Sequence, residues 1–176
     1  MSDTPWDSKP AVPADFDTEV MTLGCALAEP EAAEYVVEEL DEEDFHLSAH
    51  RRIYQAIHAV FTDTGAADHI EVAAWLRDRN DLDDCGGLEY LGRAMMEFHT
   101  TAHVTRYADI LRTLRVRREA MEMAGAFYTR FRELQGDPTD SIEHFLTRFE
   151  QLDDLARGGA PLVGLDAVAE QLGTIR

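Results

Sequence analysis

Lysine is almost missing from this chain of 176 residues, which contains Lys9 and no other. The phosphate-binding loop of P-loop nucleotidases needs a lysine within the pattern G-x-x-x-x-G-K-[ST], because that side chain reaches the β- and γ-phosphates. Lys9 does not stand in such a pattern, and no glycine-rich fingerprint replaces it. The G-x-S-x-G elbow of serine hydrolases is also missing. The sequence therefore excludes ATP hydrolysis by that mechanism and supplies no candidate catalytic or cofactor-binding residue.

Positive charge in general is scarce, with 16 Lys and Arg against 35 Asp and Glu and a net charge of −19. Such a surface repels phosphate, so we expect little direct DNA binding. No apolar run approaches the roughly 18–20 residues that span a membrane. Residues 1–15 contain three prolines and no apolar core of a signal peptide, and they are predicted to be a disordered lead. We expect a cytoplasmic protein in which Cys25 and Cys85 are reduced core thiols.

The alternation typical of half-buried strands is missing as well, and apolar residues recur instead at helical spacing. The pattern predicts an all-α protein with a compact head of about five helices at 16–97. Gly24 falls on the apolar face of the first helix, where it would allow close approach of another helix. Asp17 is the expected cap of that helix, and Asp44 or Ser48 that of the third. Residues 29–44 hold nine acids and no base, which favours a solvated acidic face.

A long antiparallel helical hairpin is predicted at 101–156, with the breakers of 135–141 at its turn and Asp140 or Ser141 as cap of its second helix. Gly136 and Pro138 are expected to exclude helix there. Such a hairpin cannot bury both of its faces against itself, so its remaining apolar surface predicts self-association. The residues predicted for this contact are Met121, Phe127, Phe131, Phe145 and Phe149. Residues 157–176 are predicted to be a linker and the start of a terminal linker helix.

Seven arginines stand between residues 105 and 132, against three acids, in an otherwise acidic chain. Two interpretations remain open: contact with a partner or with the acidic flank of a neighbouring subunit, or a solvated face with the intrahelical pairs Arg115–Glu119 and Arg118–Glu122. The residues nearest the hairpin turn are predicted to bind a partner. They are Arg130, Arg132, Gln135 and Asp137.

Two histidine pairs, His46 with His50 and His99 with His103, stand at the i, i+4 spacing that can place both rings on one helical face. Neither pair has the further glutamate and histidine of the zinc or di-iron helix motifs. We therefore predict capping and packing roles for these rings and no metal site.

Four segments carry a resemblance to a known family: TLGCALAEP at 22–30, DFHLSAHRRIYQAI at 44–57, LDDCGGLEYL at 82–91 and RYADILRTLRVRREAM at 106–121. In this order they resemble the N-terminal domain of bacterial replicative DNA helicases of the DnaB family, over about residues 16–156. The matching residues that we interpret as a structural motif are Asp44, Phe45, His50, Arg51, Gly86 and Gly87. The loop EFHTTAHV and the arginine-rich TLRVRR depart from the family pattern.

The resemblance implies a non-catalytic assembly domain acting in DNA replication. In that family the domain dimerises through its hairpin, three dimers form the collar of a hexamer, and the collar recruits primase while helicase loaders use neighbouring surfaces. ATP and Mg²⁺ belong to a separate motor domain, reached through a linker helix. The expected partners are therefore a second copy, the C-terminal helical domain of primase, and a loader. The alternatives are a stand-alone adaptor of phage or plasmid type and a ligand- or metal-binding helical protein.

Overall fold

The computed structural model describes residues 12–97, 103–133 and 136–158, and all regular secondary structure in these ranges is helical. The helices are α1 (Phe16–Ala28), α2 (Pro30–Glu39), α3 (Ser48–Thr64), α4 (His69–Asp78), α5 (Gly87–Glu97), α6 (Val104–Arg132) and α7 (Pro138–Gly158), with a short 3₁₀ turn at Glu42–Asp44. The predicted all-α fold, with five helices followed by a helical hairpin, is confirmed. Most of the predicted lead and the predicted linker helix lie outside the described residues.

Helix α1 is the central element of the head, since it packs on α2, α3, α5 and α6. Leu23 is buried on its inner face, and the close approach predicted for Gly24 is present: a Cβ atom there would lie 2.2 Å from the carbonyl oxygen of Ala94 in α5. Both cysteines are free and buried. Burial raises the pKa of the Cys25 thiol to about 11, which makes it a core side chain and a poor nucleophile.

The cap of α1 is Asp15, two residues before the predicted Asp17. The backbone N–H of Thr18 donates to Asp15 Oδ1 at 3.1 Å, and the Thr18 hydroxyl donates to Oδ2 at 2.8 Å. Asp17 lies within the first turn, where its negative charge interacts favourably with the positive end of the helix dipole. The prediction was wrong because both aspartates suit an N-terminus, and the apolar spacing locates a helix start only to within a residue or two.

The start of α7 also differs from expectation. Asp137 Oδ1 accepts the N–H of Thr139 at 2.7 Å, so Asp137 is the cap, and Asp140 and Ser141 lie inside the helix. Pro138 does not break the helix, because it is the first residue of α7. The N–H of the first helical residue has no hydrogen-bond acceptor within the helix, so proline loses nothing there, and its fixed φ suits the helix.

Helix α6 has 29 residues and joins two packing environments. Its first half packs on α1, α2 and the 3₁₀ turn, and its second half packs on α7 around a separate apolar cluster. The buried members of that cluster are Met123, Phe145 and Leu152. The hairpin is therefore connected to the head by an uninterrupted helix. Among the described residues, no helix is both long and apolar enough to cross a bilayer.

Candidate protein interaction surfaces

The start of α3 is held by a side chain from another helix. Glu19 of α1 is 1% exposed, and its carboxylate accepts the backbone N–H groups of His46 at 2.7 Å and Leu47 at 3.3 Å. Nδ1 of His50 lies 2.6 Å from the same carboxylate, and Nε2 lies 2.6 Å from the Tyr90 hydroxyl of α5. The predicted caps Asp44 and Ser48 are therefore wrong. This buried network ties α1, α3 and α5 together.

The two histidines at the entry of α3 serve packing roles. The ring of His46 stacks on Phe16 with 6.0 Å between centroids, whereas His50 is 2% exposed and engaged on both ring nitrogens. No group of three possible metal-ligating side chains occurs within 12–97, 103–133 and 136–158. His99, a member of the other predicted pair, lies outside these ranges.

The rest of the predicted structural motif surrounds this network. Phe45 is fully buried, and its carbonyl oxygen accepts the Nε–H of Arg51 at 2.7 Å. Asp44 is also buried: its Oδ2 accepts the N–H of Asp41 at 2.8 Å, whereas Oδ1 has no hydrogen-bond partner. Burial raises the pKa of the Asp44 carboxyl, and the Asp41 N–H opposes that rise. These contacts give the motif residues a structural role.

Two glycines of the motif stand at the start of α5, whose first residue is Gly87. Gly86 has a φ of 85° and Gly87 a φ of 72°, both in the left-handed region that side chains rarely adopt. A Cβ atom on Gly86 would also lie 2.8 Å from Cβ of Tyr90. The glycine pair therefore permits the sharp turn that delivers Tyr90 to His50.

Three arginines of α6, here called the arginine clamp, bind the acidic segment 39–44 of the same chain. Arg112 donates to the carbonyl oxygen and carboxylate of Glu39. Arg115 donates to Asp41 at 3.0 Å and to Glu119 at 2.8 Å, the second being a predicted intrahelical pair. Arginines of α6 therefore bind acidic residues of the head in the same chain. Neither the partner contact nor the solvated face predicted from the sequence included this pairing.

Arg118 is the most buried member of the arginine clamp, at 7% exposed. It donates to the backbone carbonyl oxygens of Glu43 at 2.7 Å, Asp44 at 3.0 Å and Pro13 at 3.3 Å. The predicted Arg118–Glu122 pair is therefore wrong, because three carbonyl oxygens brought together by the fold take up the guanidinium. Burial lowers the pKa of Arg118. Segment 39–44 is not only a solvated acidic face, because its backbone anchors α6.

Replacing Arg118 with methionine is expected to lower the free energy of unfolding by about 2–3 kcal/mol, because hydrogen bonds from charged groups contribute roughly 1.5–3 kcal/mol and the carbonyls lose their donor. Urea unfolding followed by circular dichroism measures the effect. Arg117→Met is the matched control, since Arg117 is the exposed neighbour on the same helix. Equal losses in the two variants would contradict a structural role for the clamp.

The phenylalanines predicted for self-association differ in exposure: Phe145 is buried within the hairpin, whereas Phe149 is exposed to solvent. Phe145 is 7% exposed and packs edge-on against Phe127, with 4.8 Å between centroids, so it lies in the seam of the hairpin. Phe127 also contacts Phe131 at 4.5 Å. Phe149 remains 48% exposed. The seam therefore takes Phe145 out of the predicted contact surface.

An exposed apolar stripe follows the outer side of α7. Its members are Ile142, Leu146 and Phe149, at 45%, 57% and 48% exposed. Tyr128 and Met121 of α6 are also exposed, at 65% and 37%. The prediction omitted Ile142, Leu146 and Tyr128, although the i, i+4, i+7 spacing of the α7 stripe is a helical face that the sequence displays.

The predicted partner-binding residues at the turn have different surroundings. Arg130 Nε donates to the hydroxyl of the buried Ser141 at 2.7 Å and so links α6 to α7. The Arg132 side chain is 64% exposed and lies 5.8 Å from the ring centroid of Tyr128. Asp137 caps α7. Gln135 lies outside the described residues. Both arginines are exposed, but Arg130 is engaged with Ser141, whereas Arg132 lies beside Tyr128 and 3.7 Å from the Glu133 carboxylate.

Comparison with known proteins gives consistent matches. The family model "DnaB-like helicase N terminal domain" matches residues 11–113. The replicative DNA helicase DnaB of Geobacillus stearothermophilus is 30% identical over 126 residues, which are 69% of this chain and 28% of that protein. The crystal structure of the N-terminal domain of the DnaB helicase from Mycobacterium tuberculosis is 26% identical with a TM-score of 0.74, covering 79% of this chain and 98% of that one.

A second solved structure, of a DnaB-like replicative helicase described with its interactions with primase, matches with a TM-score of 0.64 and 19% identity. The match covers 92% of this chain and 36% of that chain, and at this identity it shows the fold alone. The chain spans less than a third of the length of the curated relatives it matches. The match therefore covers nearly all of one solved N-terminal domain but only about a third of the other, longer helicase chain.

Proposed function

Because this chain belongs to the family of DnaB-like helicase N-terminal domains, we propose that it is a non-catalytic assembly domain acting in DNA replication in the cytoplasm. The observation that carries the proposal is the hairpin: α6 is anchored to the head by the arginine clamp, and its outer half and α7 present apolar side chains to solvent. A domain of this kind joins proteins together, and the ATP and Mg²⁺ chemistry belongs to a motor domain.

We propose that the first partner is a second copy of the chain. Outside the head, the described part of the hairpin has one small buried cluster, whereas the α7 stripe stays in contact with water. Contiguous apolar surface of this kind marks interaction sites in soluble proteins. A dimer formed through the stripe removes it from water. Formation of a hexamer then requires the motor and linker segments of a longer chain.

Changing Leu146 and Phe149 together to aspartate is expected to weaken self-association at least about tenfold, because loss of a buried interface anchor costs on the order of 2 kcal/mol or more. Sedimentation velocity over a concentration series measures the dimer. The control is Thr147→Asp with Gln151→Asp, which adds the same two negative charges at exposed positions of α7 outside the stripe. A wild-type protein that stays monomeric, or a dimer insensitive to the stripe variant, would refute the proposed interface.

The second proposed partner is the C-terminal helical domain of primase, with a helicase loader on neighbouring surfaces. Support comes from the family membership and from the fold shared with a helicase described with primase. The turn of the hairpin is the proposed docking point, and Arg132 supplies its charge. Transient interfaces of this type are small, so weak binding is expected.

Titration of that primase domain is expected to show binding that weakens as salt rises, because an exposed arginine acts through a screened charge. Arg132→Glu should weaken the complex further. Arg117→Glu, an exposed arginine elsewhere on α6, is the control that makes the same change in net charge. Absence of binding at every salt concentration would exclude primase, and equal binding by both variants would exclude the charge at the turn.

A further inference from the structure

The described chain has two apolar cores, and they share no residue. The core of the head takes its buried residues from α1 to α5, with their connections, and from α6 only as far as Leu111. The second core lies between the outer half of α6 and α7, and its buried members are Met123, Phe145 and Leu152. Helix α7 packs on α6, and among the described residues it forms no comparable contact with another helix. The docking of α7 therefore depends on a core that is separate from that of the head.

The core that holds α7 is small for a helix of 21 residues. The buried side chains of α7 in the described hairpin are those of Ser141, Phe145, Leu152 and Ala156. An open groove of about 680 Å³ lies between α6 and α7, and the residues of the α7 stripe do not line it but are exposed elsewhere on the helix. Most helical stability in proteins comes from packing of an apolar face, so a helix with few buried side chains is held weakly.

The polar contacts of the hairpin are also fewer than those of the head. Near the turn, Arg130 donates from Nε to the Ser141 hydroxyl at 2.7 Å, and that hydroxyl donates to the carbonyl oxygen of Asp137 at 2.9 Å. In the head, the carboxylate of Glu19 alone accepts two backbone N–H groups and contacts His50. The arginine clamp then fastens the first half of α6 to the head, but it does not reach α7.

We propose that α7 is a conditional helix: in a single chain it detaches from α6 as a unit while the head stays folded, and a second copy on the α7 stripe holds it in place. Proteins open locally in cooperative units, and units with few buried contacts have the lowest opening free energy. A second copy on the stripe adds the apolar contacts that α6 does not supply. The detachment within one chain does not rest on the proposed function, whereas the role of the second copy does.

The conditional helix couples self-association to binding at the turn. Asp137 caps α7, and Arg132 ends α6, so the shape of the turn depends on the docking of α7. A partner that recognises this turn binds the docked form. Because coupling between two binding events is reciprocal, a second copy strengthens the binding of that partner, and the partner strengthens self-association by the same factor.

Hydrogen–deuterium exchange followed by mass spectrometry tests the detachment in the full chain. At a concentration where sedimentation shows monomer, amide protection in α7 is expected to be at least about 100-fold lower than in α1 and α3, because the two units open separately. Arg130→Met should lower the protection of α7 roughly fivefold more, the effect of one typical hydrogen bond, and leave the head unchanged. Arg132→Met is the matched control, since Arg132 lies beside Tyr128 of its own helix, and it should leave α7 unchanged.

The same measurement at higher concentration tests the second copy. Where the dimer forms, the protection of α7 is expected to rise at least about tenfold in the wild type, by mass action. It should not rise in the variant with Leu146→Asp and Phe149→Asp, whose exposed positions lie outside the hairpin core.

Protection of α7 in the monomer equal to that of α1 and α3 would overturn the detachment, as would an effect of Arg130→Met spread evenly over head and hairpin. A dimer whose α7 is no more protected than that of the monomer would overturn the role of the second copy. Absence of a dimer at every concentration would refute the proposed self-association as well, whereas the monomer measurement would still decide the detachment.

Discussion

Replacing Glu19 with alanine is expected to lower the free energy of unfolding by about 3–5 kcal/mol, because three buried donors lose their acceptor and each unsatisfied buried donor costs roughly 1–3 kcal/mol. The variant leaves His50 without its acceptor inside the core and removes the acceptor of two backbone N–H groups at the start of α3. Urea unfolding followed by far-ultraviolet circular dichroism measures the loss. A cooperative unfolding curve in both proteins permits the comparison.

Asp17→Ala is the matched control, because Asp17 is an exposed acid two residues earlier on α1. Its loss removes only a favourable charge at the helix start, about 0.3–1 kcal/mol. Glu19→Gln keeps the shape and one acceptor oxygen and should fall between the two. A Glu19→Ala variant no less stable than Asp17→Ala would show that the buried network does not stabilise the head.

The helices and several of their contacts were predictable because local patterns determine them. Apolar residues at spacings of three and four mark the inner faces, and Gly136 and Pro138 mark the turn between α6 and α7. Gly24 was also predictable, since a glycine on an apolar helical face is expected where another backbone comes close. The resemblance added a motif whose members lie around the His50 network, although periodicity alone would not have selected them.

The arginine clamp could not be predicted, because its partners are distant in sequence. Arg118 meets carbonyl oxygens 74, 75 and 105 residues away. Backbone carbonyls leave no trace in a sequence, so the pattern could suggest only the pair with Glu122 that lies one turn along the same helix. The Glu19 cap was missed for the same reason: the two N–H groups that Glu19 accepts lie 27 and 28 residues later in the chain.

The rotation of α7 about its own axis could not be predicted from the sequence. Spacing places Phe145 and Phe149 on one stripe of α7, but it does not say which edge of that stripe faces α6. Packing around Phe127 buries Phe145 and leaves Phe149 in water. A difference of one helical turn therefore separates a seam residue from a surface residue, and the periodicity alone does not distinguish them.

The contact of α1 with α5 provides the second large effect. Gly24→Ala is expected to lower the free energy of unfolding by about 3 kcal/mol or more, at the upper end of the range for overpacking. A Cβ atom at this position would lie 2.2 Å from the carbonyl oxygen and 2.9 Å from the carbonyl carbon of Ala94. Both are backbone atoms, so relief requires α5 to move as a unit.

Gly92→Ala on α5 isolates this steric effect, since both substitutions add one methyl group to a helical glycine. A Cβ atom on Gly92 meets nothing within 4 Å. Alanine is favoured over glycine inside a helix by about 1 kcal/mol, so this variant should be more stable than the wild type. Thermal and urea unfolding of the two variants should therefore move in opposite directions. If both variants are stabilised, α1 and α5 are farther apart than the contact at Gly24 requires, and the packing of the head must be revised.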